Sequence, residues 1–324
     1  FWVFLVGKDI FIPLNKTLNA NNGDKVVVEI KNYANKKNPE GVVTEVLGEP
    51  NKIETEVKAI LRSFDLYEGF PKKVQQEAEK LPQEISYKNF PNRRNLTDAL
   101  IFTIDGEDTR DIDDAISLTK TKDGFYNLGV HIADVGEYVK MGNIIDKEAF
   151  KRGTNLVLPM LPRELSNGIC SLNEKVERLA LSVQMVIDKT GTVKKYEIFE
   201  SVIKSKKRFT YTEVQGIIDD NAYYTENNKQ FVETIKNMAE LSEILIRMRD
   251  KRGAIDFNIP EVSIGLDDLG DVVIVEQKER NASHRLIESF MIAANECIAE
   301  HFKNLKTPFV YRVHEKPDAE KMAN

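Results

Sequence analysis

A chain of 324 residues, 41% hydrophobic and 30% charged, is long enough for two or more domains and has an ordinary globular balance. No apolar run approaches the roughly 18 residues of a membrane-spanning helix, no stretch reads as a signal peptide, and no membrane partner is expected. The formal net charge of −6 argues against a generally basic nucleic-acid binder. Two basic clusters soften that exclusion: Lys194, Lys195, Lys204, Lys206, Lys207 and Arg208, and Arg247, Arg249, Lys251 and Arg252. Each is either a solvated face or a contact for a polyanion. Cys170 and Cys297 sit inside apolar periodic segments and read as core residues of a cytoplasmic protein.

The chain opens mid-strand at Phe1, so it is expected to be a fragment. Residues 1–61 read as β, with strands up to Val6 and over Ile10–Ile12, Lys25–Ile30 and Gly41–Leu47, and turns at Gly7-Lys8-Asp9 and Asn21-Asn22-Gly23-Asp24. Short strands with such turns suggest a small barrel, here given residues 1–62. Its aromatics Phe1, Trp2, Phe4 and Phe11 are either core or a stacking platform for bases. Residues 63–88 read as a linker with a helix opened by Pro71, spaced by Val74, Ala78 and Leu81, and stopped by Pro82.

A larger domain, 89–324, follows. Its expected strands are Leu100–Ile104, Ala115–Leu118, Tyr126–Ile132, Leu179–Ile187 and Tyr196–Lys204. A short helix Asp146–Arg152 should end at Gly153, and Thr210-Tyr211-Thr212-Glu213 fits a capping box. Two long helices are expected. Asn228–Arg252 carries Phe231, Ile235, Met238, Leu241, Leu245 and Met248 on one face, and Ser283–Leu305 carries Leu286, Phe290, Ala293, Cys297 and His301.

The densest chemistry lies in Leu100–Leu118, LIFTIDGEDTRDIDDAISL. An apolar strand enters, a loop carries Asp105, Glu107, Asp108, Asp111, Asp113 and Asp114, and a second strand leaves. Such a loop is either solvated or a site for a divalent cation, for which hard oxygen ligands suit Mg²⁺ or Mn²⁺. An EF-hand is excluded, because the acids, the Gly and the closing Glu miss its positions. Ile112, Asp114, Ile116 and Leu118 share one strand parity, whereas Asp111 and Asp113 have the other. The acids can reach one site only if the backbone bends between Asp111 and Ala115. Converging carboxylates with no cation should raise at least one pKa by mutual repulsion.

With these residues in view, TIDGEDTRDIDDAIS (Thr103–Ser117) resembles the catalytic signature of the ribonuclease II / ribonuclease R family of 3′→5′ exoribonucleases. The resemblance continues through GVHIADV (Gly129–Val135), PMLPRELSNGICSLN (Pro159–Asn173), AIDF (Ala254–Phe257), ERNASHRLIE (Glu279–Glu288) and FVYRVHEKPD (Phe309–Asp318). SNGICSLN and YRVHEKPD are similar to the ribonuclease R branch. DIFIP (Asp9–Pro13) and GDKVVVEI (Gly23–Ile30) resemble that family's second cold-shock domain.

The resemblance implies a multidomain fold, an all-β cold-shock-like OB barrel followed by a mixed α+β catalytic domain. It implies hydrolytic, processive degradation of single-stranded RNA to 5′-mononucleotides, by a cytoplasmic monomer using Mg²⁺ with Mn²⁺ as an alternative. Asp105, Asp111, Asp113 and Asp114 match the four active-site aspartates. Asp105, Asp114 and Asp111 would bind metal, with Asp113 and Asp111 in catalysis. Tyr211 and Glu288 match residues that contact RNA near its 3′ end, and Phe257 an aromatic that stacks on the terminal base. On residue type alone, Tyr211 and Phe257 are equally core residues and Glu288 a surface one. Three features depart from the family. The interval Asn155–Leu158 is short and lacks a second clamping tyrosine. A later arginine-containing segment and basic S1 domain do not follow Asn324, and a first cold-shock domain does not precede Phe1. The rivals are an RNA-binding module without catalysis and a calcium-stabilised scaffold.

Overall fold

The computed structural model describes residues 2–3, 9–32, 38–153, 158–254, 261–267, 272–278 and 280–313. The chain divides into two compact units, 1–71 with 260–278, and 72–259 with 279–324.

In the first unit, strands β1 (Trp2–Val3), β2 (Ile10–Phe11), β3 (Lys25–Asn32) and β4 (Glu40–Gly48) form one sheet in the order β1-β2-β4-β3. Ile10, Ile12 and Val43 make its small core. Phe11 faces solvent, whereas Phe1 and Phe4 lie outside the described residues. One expectation is corrected. The segment before residue 62 is not all β, because Ile53–Ser63 is a helix, α1. Its first turn carries Glu54 and Glu56 and its last carries Arg62, which suits the helix dipole. Arg62 then forks onto Glu45 with two bonds of 2.7 Å, tying the helix to β4.

The second unit opens with α2 (Lys72–Ala78), which follows Pro71 and buries Val74 and Ala78. Strands β5 (Arg94–Leu96), β6 (Thr103–Asp105), β7 (Asp114–Lys120) and β8 (Tyr126–Ala133) come next, then the short helices α3 (Val135–Tyr138) and α4 (Ile144–Arg152). Gly153 ends α4 at φ +71°, the left-handed conformation glycine tolerates best. After a wide helical turn at Glu164–Ile169, β9 (Glu177–Ile187) and β10 (Val193–Lys204) complete a five-stranded sheet ordered β5-β10-β9-β8-β7. Strand β11 (Arg208–Thr210) pairs in parallel with β6, and helices α5 (Tyr211–Ile218), α6 (Ala222–Asn227) and α7 (Lys229–Lys251) follow. The hairpin β12 (Glu261–Leu266) and β13 (Val272–Lys278) belongs to the first unit, and α8 (Ala282–Leu305) returns to the second.

One sheet face is covered by helices. Phe102, Ile104, Ile116, Leu118, Leu128 and Val130 pack with Phe231, Ile235, Met238 and Leu241 of α7 and Leu286, Phe290 and Cys297 of α8. The apolar stripes read from the sequence are therefore the buried ones, though His301 lies at the margin, bonded to the Tyr196 hydroxyl. Cys170 is also buried, and burial pushes its thiol up to about 12. A second, smaller cluster on the sheet joins Ile101, Ile112, Ala115, Ala133, Leu172, Ala180 and Ile203.

Candidate active site

The backbone between the two acid-bearing strands turns over as the parity pattern requires. Ile112 packs with Ala115 in the smaller cluster, while Ile116 and Leu118 lie in the helix-covered core. In a regular strand Ile112 and Ile116 would share a face, so the chain changes face between Ile112 and Ala115. Asp111 and Asp113 stay exposed, and Asp105 and Asp114 are half-buried. Main-chain bonds hold the turn: Ala133 N–H donates to the Asp113 carbonyl at 2.9 Å, and Leu172 N–H to that of Ile112 at 2.9 Å.

Burial is the first cause of the electrostatic state here, and neighbouring acids the second. Asp114 is pushed up to about 6 by burial, then by Asp105 and Asp113. Burial also raises Asp105, with Thr103 and Arg208 opposing and Asp113 and Asp111 adding to it. Asp113 is raised by its partial burial and by Asp111. The expected repulsion is thus present but ranks below desolvation. Asp105 Oδ2 is buried and accepts no hydrogen bond. Among the described residues no three His, Cys, Asp or Glu side chains close around a common point as a ready cation cage. The donor chemistry does fit a hard divalent cation: carboxylate oxygens only, one buried and unpartnered, and mutually coupled.

Tyr211 enters through β-sheet register. Thr210 lies opposite Asp105 in the β11–β6 pair, and Tyr211 is the next residue. The capping box forms as expected, with Thr210 accepting from Glu213 N–H and Glu213 from Thr210 N–H. Burial, then Asp114 and Asp105, push the Tyr211 hydroxyl up to about 12. The Tyr211 ring stacks on His284 with centroids 4.0 Å apart, and its carbonyl accepts from Ser283 at 2.9 Å. Glu288 lies one helical turn beyond His284, half-exposed beside the buried stripe of α8. It is ion-paired to Arg280 at 2.6 Å. The structure thus places Tyr211 with the acids and Glu288 on the helix that carries its stacking partner. Phe257 and residues 154–157 of the short interval lie outside the described residues.

Sequence reasoning passed over three residues here. Arg208, grouped with the basic clusters, is not a solvated charge. Its Nη2 donates to the carbonyls of Gly106 (2.9 Å) and Glu107 (3.1 Å), and its Nε is buried without a partner. Its parallel pairing through β11 was the missing signal, and such a contact is not local in sequence. His284 and Ser171 sit inside quoted motifs that gave them no role. The rest of the basic clusters is largely self-neutralised: Lys207 meets Glu213, Lys194 meets Asp188, Arg247 meets Glu243 and Arg252 meets Glu296. Beside Asp114 the sheet leaves Ile132 and Leu181 exposed in the same register row.

Comparison with known proteins agrees with this arrangement. The RNB domain family matches residues 93–324, and a cold shock domain family residues 5–71. Ribonuclease R of Thermotoga maritima is 45% identical over 97% of this chain and 46% of its own length, and that of Aquifex aeolicus 42% over 93% and 44%. The chain therefore spans about half the length of the curated relatives it matches. The structure of Mycoplasma genitalium RNase R in complex with ribose methylated single-stranded RNA aligns with a TM-score of 0.87 at 27% identity. That alignment covers 97% of this chain and 50% of that one. The expected order of a cold-shock OB domain followed by a mixed α+β domain holds, and the chain belongs to the RNB-domain family.

Proposed function

We propose that this chain is the cold-shock and catalytic portion of a processive 3′→5′ exoribonuclease. It would hydrolyse single-stranded RNA to 5′-mononucleotides in the cytoplasm, using Mg²⁺ or, in its place, Mn²⁺. The supporting observation is the set Asp105, Asp113 and Asp114, each raised by burial and by neighbouring acids, with one buried oxygen unpartnered and Thr103 and Arg208 opposing the rise at Asp105. Asp105, Asp114 and Asp111 would hold the cation. When bound, it lowers the pKa of water and stabilises the leaving oxygen of an in-line phosphodiester displacement.

The chain's own groups account for substrate placement. Asp113, at the exposed edge of the loop, orients the attacking water. The Tyr211 hydroxyl stays protonated at neutral pH and donates toward the substrate, since its proton is held up to about 12. Glu288, steadied by Arg280, accepts from a 2′-OH, which separates RNA from DNA. The family resemblance adds Phe257 as the ring that stacks on the terminal base, a contact indifferent to sequence. The test is a uniformly labelled oligoribonucleotide incubated with Mg²⁺, with and without chelator. Release of mononucleotides that the chelator abolishes is expected. RNA binding without mononucleotide release in either Mg²⁺ or Mn²⁺ would leave a binding module instead.

A further inference from the structure

We propose that the buried Ser171 hydroxyl is the positioning group for Asp111, setting that carboxylate toward the cation; this rests on the divalent-cation assignment made above. Ser171 Oγ accepts from Ile112 N–H at 3.0 Å and donates to the Arg110 carbonyl at 3.1 Å. Those two groups belong to the peptide units on either side of Asp111. One oxygen therefore fixes both backbone torsions of Asp111. The peptides flanking Asp113 are also held, but by the main-chain bonds from Leu172 and Ala133. Of these two aspartates, Asp111 is the one whose flanking peptides are held by a side chain.

Ser171 is itself immobilised. It is fully buried, and its carbonyl accepts from Arg178 Nε at 2.9 Å. The same guanidinium also donates to the carbonyls of Glu177 (3.0 Å) and Gly168 (3.3 Å). Next to it, Leu172 packs with Ile112 in the smaller cluster. The choice of a hydroxyl is chemically apt. It satisfies one donor and one acceptor while adding no charge, whereas a lysine or arginine there would neutralise the acids and compete with a cation.

The experiment titrates Mn²⁺ into the whole chain by calorimetry, with thermal midpoints measured in parallel. Losing a partner that orients a metal ligand typically weakens metal affinity about 10–100-fold, and Ser171→Ala should do so. The control is Ser182→Ala, which removes an equally buried serine whose side chain bonds His131 and Ser201 rather than the backbone of the acid loop. It should lower the thermal midpoint comparably and leave Mn²⁺ affinity unchanged. If Ser171→Ala does not fold, Ser171→Cys leaves no cavity, weakens both bonds and carries the same expectation. Wild-type affinity in a folded Ser171 variant overturns the proposal, as does an equal loss in Ser182→Ala. Absence of Mn²⁺ uptake by the wild-type chain overturns the cation assignment and the proposal together.

Discussion

Two aspartates at the same end of the central sheet have opposite fates. Asp134 follows the last residue of β8 and Asp114 begins β7, its antiparallel neighbour. Asp134 meets the buried Arg93 guanidinium at 2.7 Å, with Glu137 at 3.3 Å and Glu200 at 3.8 Å on the same nitrogen. Asp114 meets other acids and is held up to about 6. A fold able to supply an arginine for one carboxylate has left the other without one. Compensated charge at Asp134 is structural. Uncompensated charge at Asp114 costs stability, and such a cost persists where a ligand from solution offsets it.

The sharpest way to break this comparison is Asp113→Asn, which keeps shape and removes one charge from the uncompensated side. Losing a preorganised electrostatic group typically costs about 10²–10³ in turnover. Single-turnover RNA degradation should fall by that factor with RNA binding retained in a filter assay. Lost binding with an unchanged rate per complex would refute the assignment.

On the compensated side, Arg93→Met strands Asp134 without its cation. Breaking a buried pair this way costs about 3 kcal/mol, which a denaturant midpoint should show, and a neutral result would mean that Glu137 and Glu200 contribute no strain there.

Between these extremes lies His131 on β8, buried and bonded through Nδ1 to Ser182 (2.8 Å) and Nε2 to Ser117 (3.1 Å). Gly129 leaves the room, since a Cβ there would meet the Ser117 hydroxyl at 2.4 Å. Burial lowers the imidazole from 6.5 to about 4. The unfolded chain then binds a proton before the folded one. Stability is complete above pH 6.5 and is lost as pH falls toward 4. The expected loss from pH 7 to pH 5 is about 2 kcal/mol, and His131→Asn should flatten that slope.

The smallest effect refines the uncompensated side. Asp114→Asn should raise stability at pH 7 by about 1 kcal/mol, because it removes an ionised group the fold disfavours. A raised carboxyl pKa destabilises only above the unfolded value, so the gain should shrink between pH 6 and pH 4. A constant gain across that range would assign it to packing.

Much of this was legible in the sequence, for local reasons. The Thr210–Glu213 capping box, the Gly153 stop and the stripes of α7 and α8 are written within a few residues of where they act. The parity conflict at Asp111–Asp114 announced a bend. Less legible was α1, whose Ile53, Val57 and Ile60 stay partly exposed and whose burial rests on Thr55 and Leu61. The entering strand also starts late. Leu100–Phe102 carries an isolated bridge, Phe102 to Ile116, and β6 proper begins at Thr103 because its partner β11 is only three residues long. Arg208 and Ser171 were opaque because their partners, Gly106 and Arg110, lie far away in the chain.

The parallel pairing of β11 with β6 has a consequence for biosynthesis. Asp105 leaves the ribosome long before Arg208 and Tyr211, yet it lacks its strand partner, its easing cation and its neighbouring ring until they emerge. Loop closure over such a span is slow, and local helices form first. A nascent chain of this protein therefore exposes its acids as an unassembled loop until β11 emerges, and Tyr211 gains its stacking partner His284 only when α8 follows.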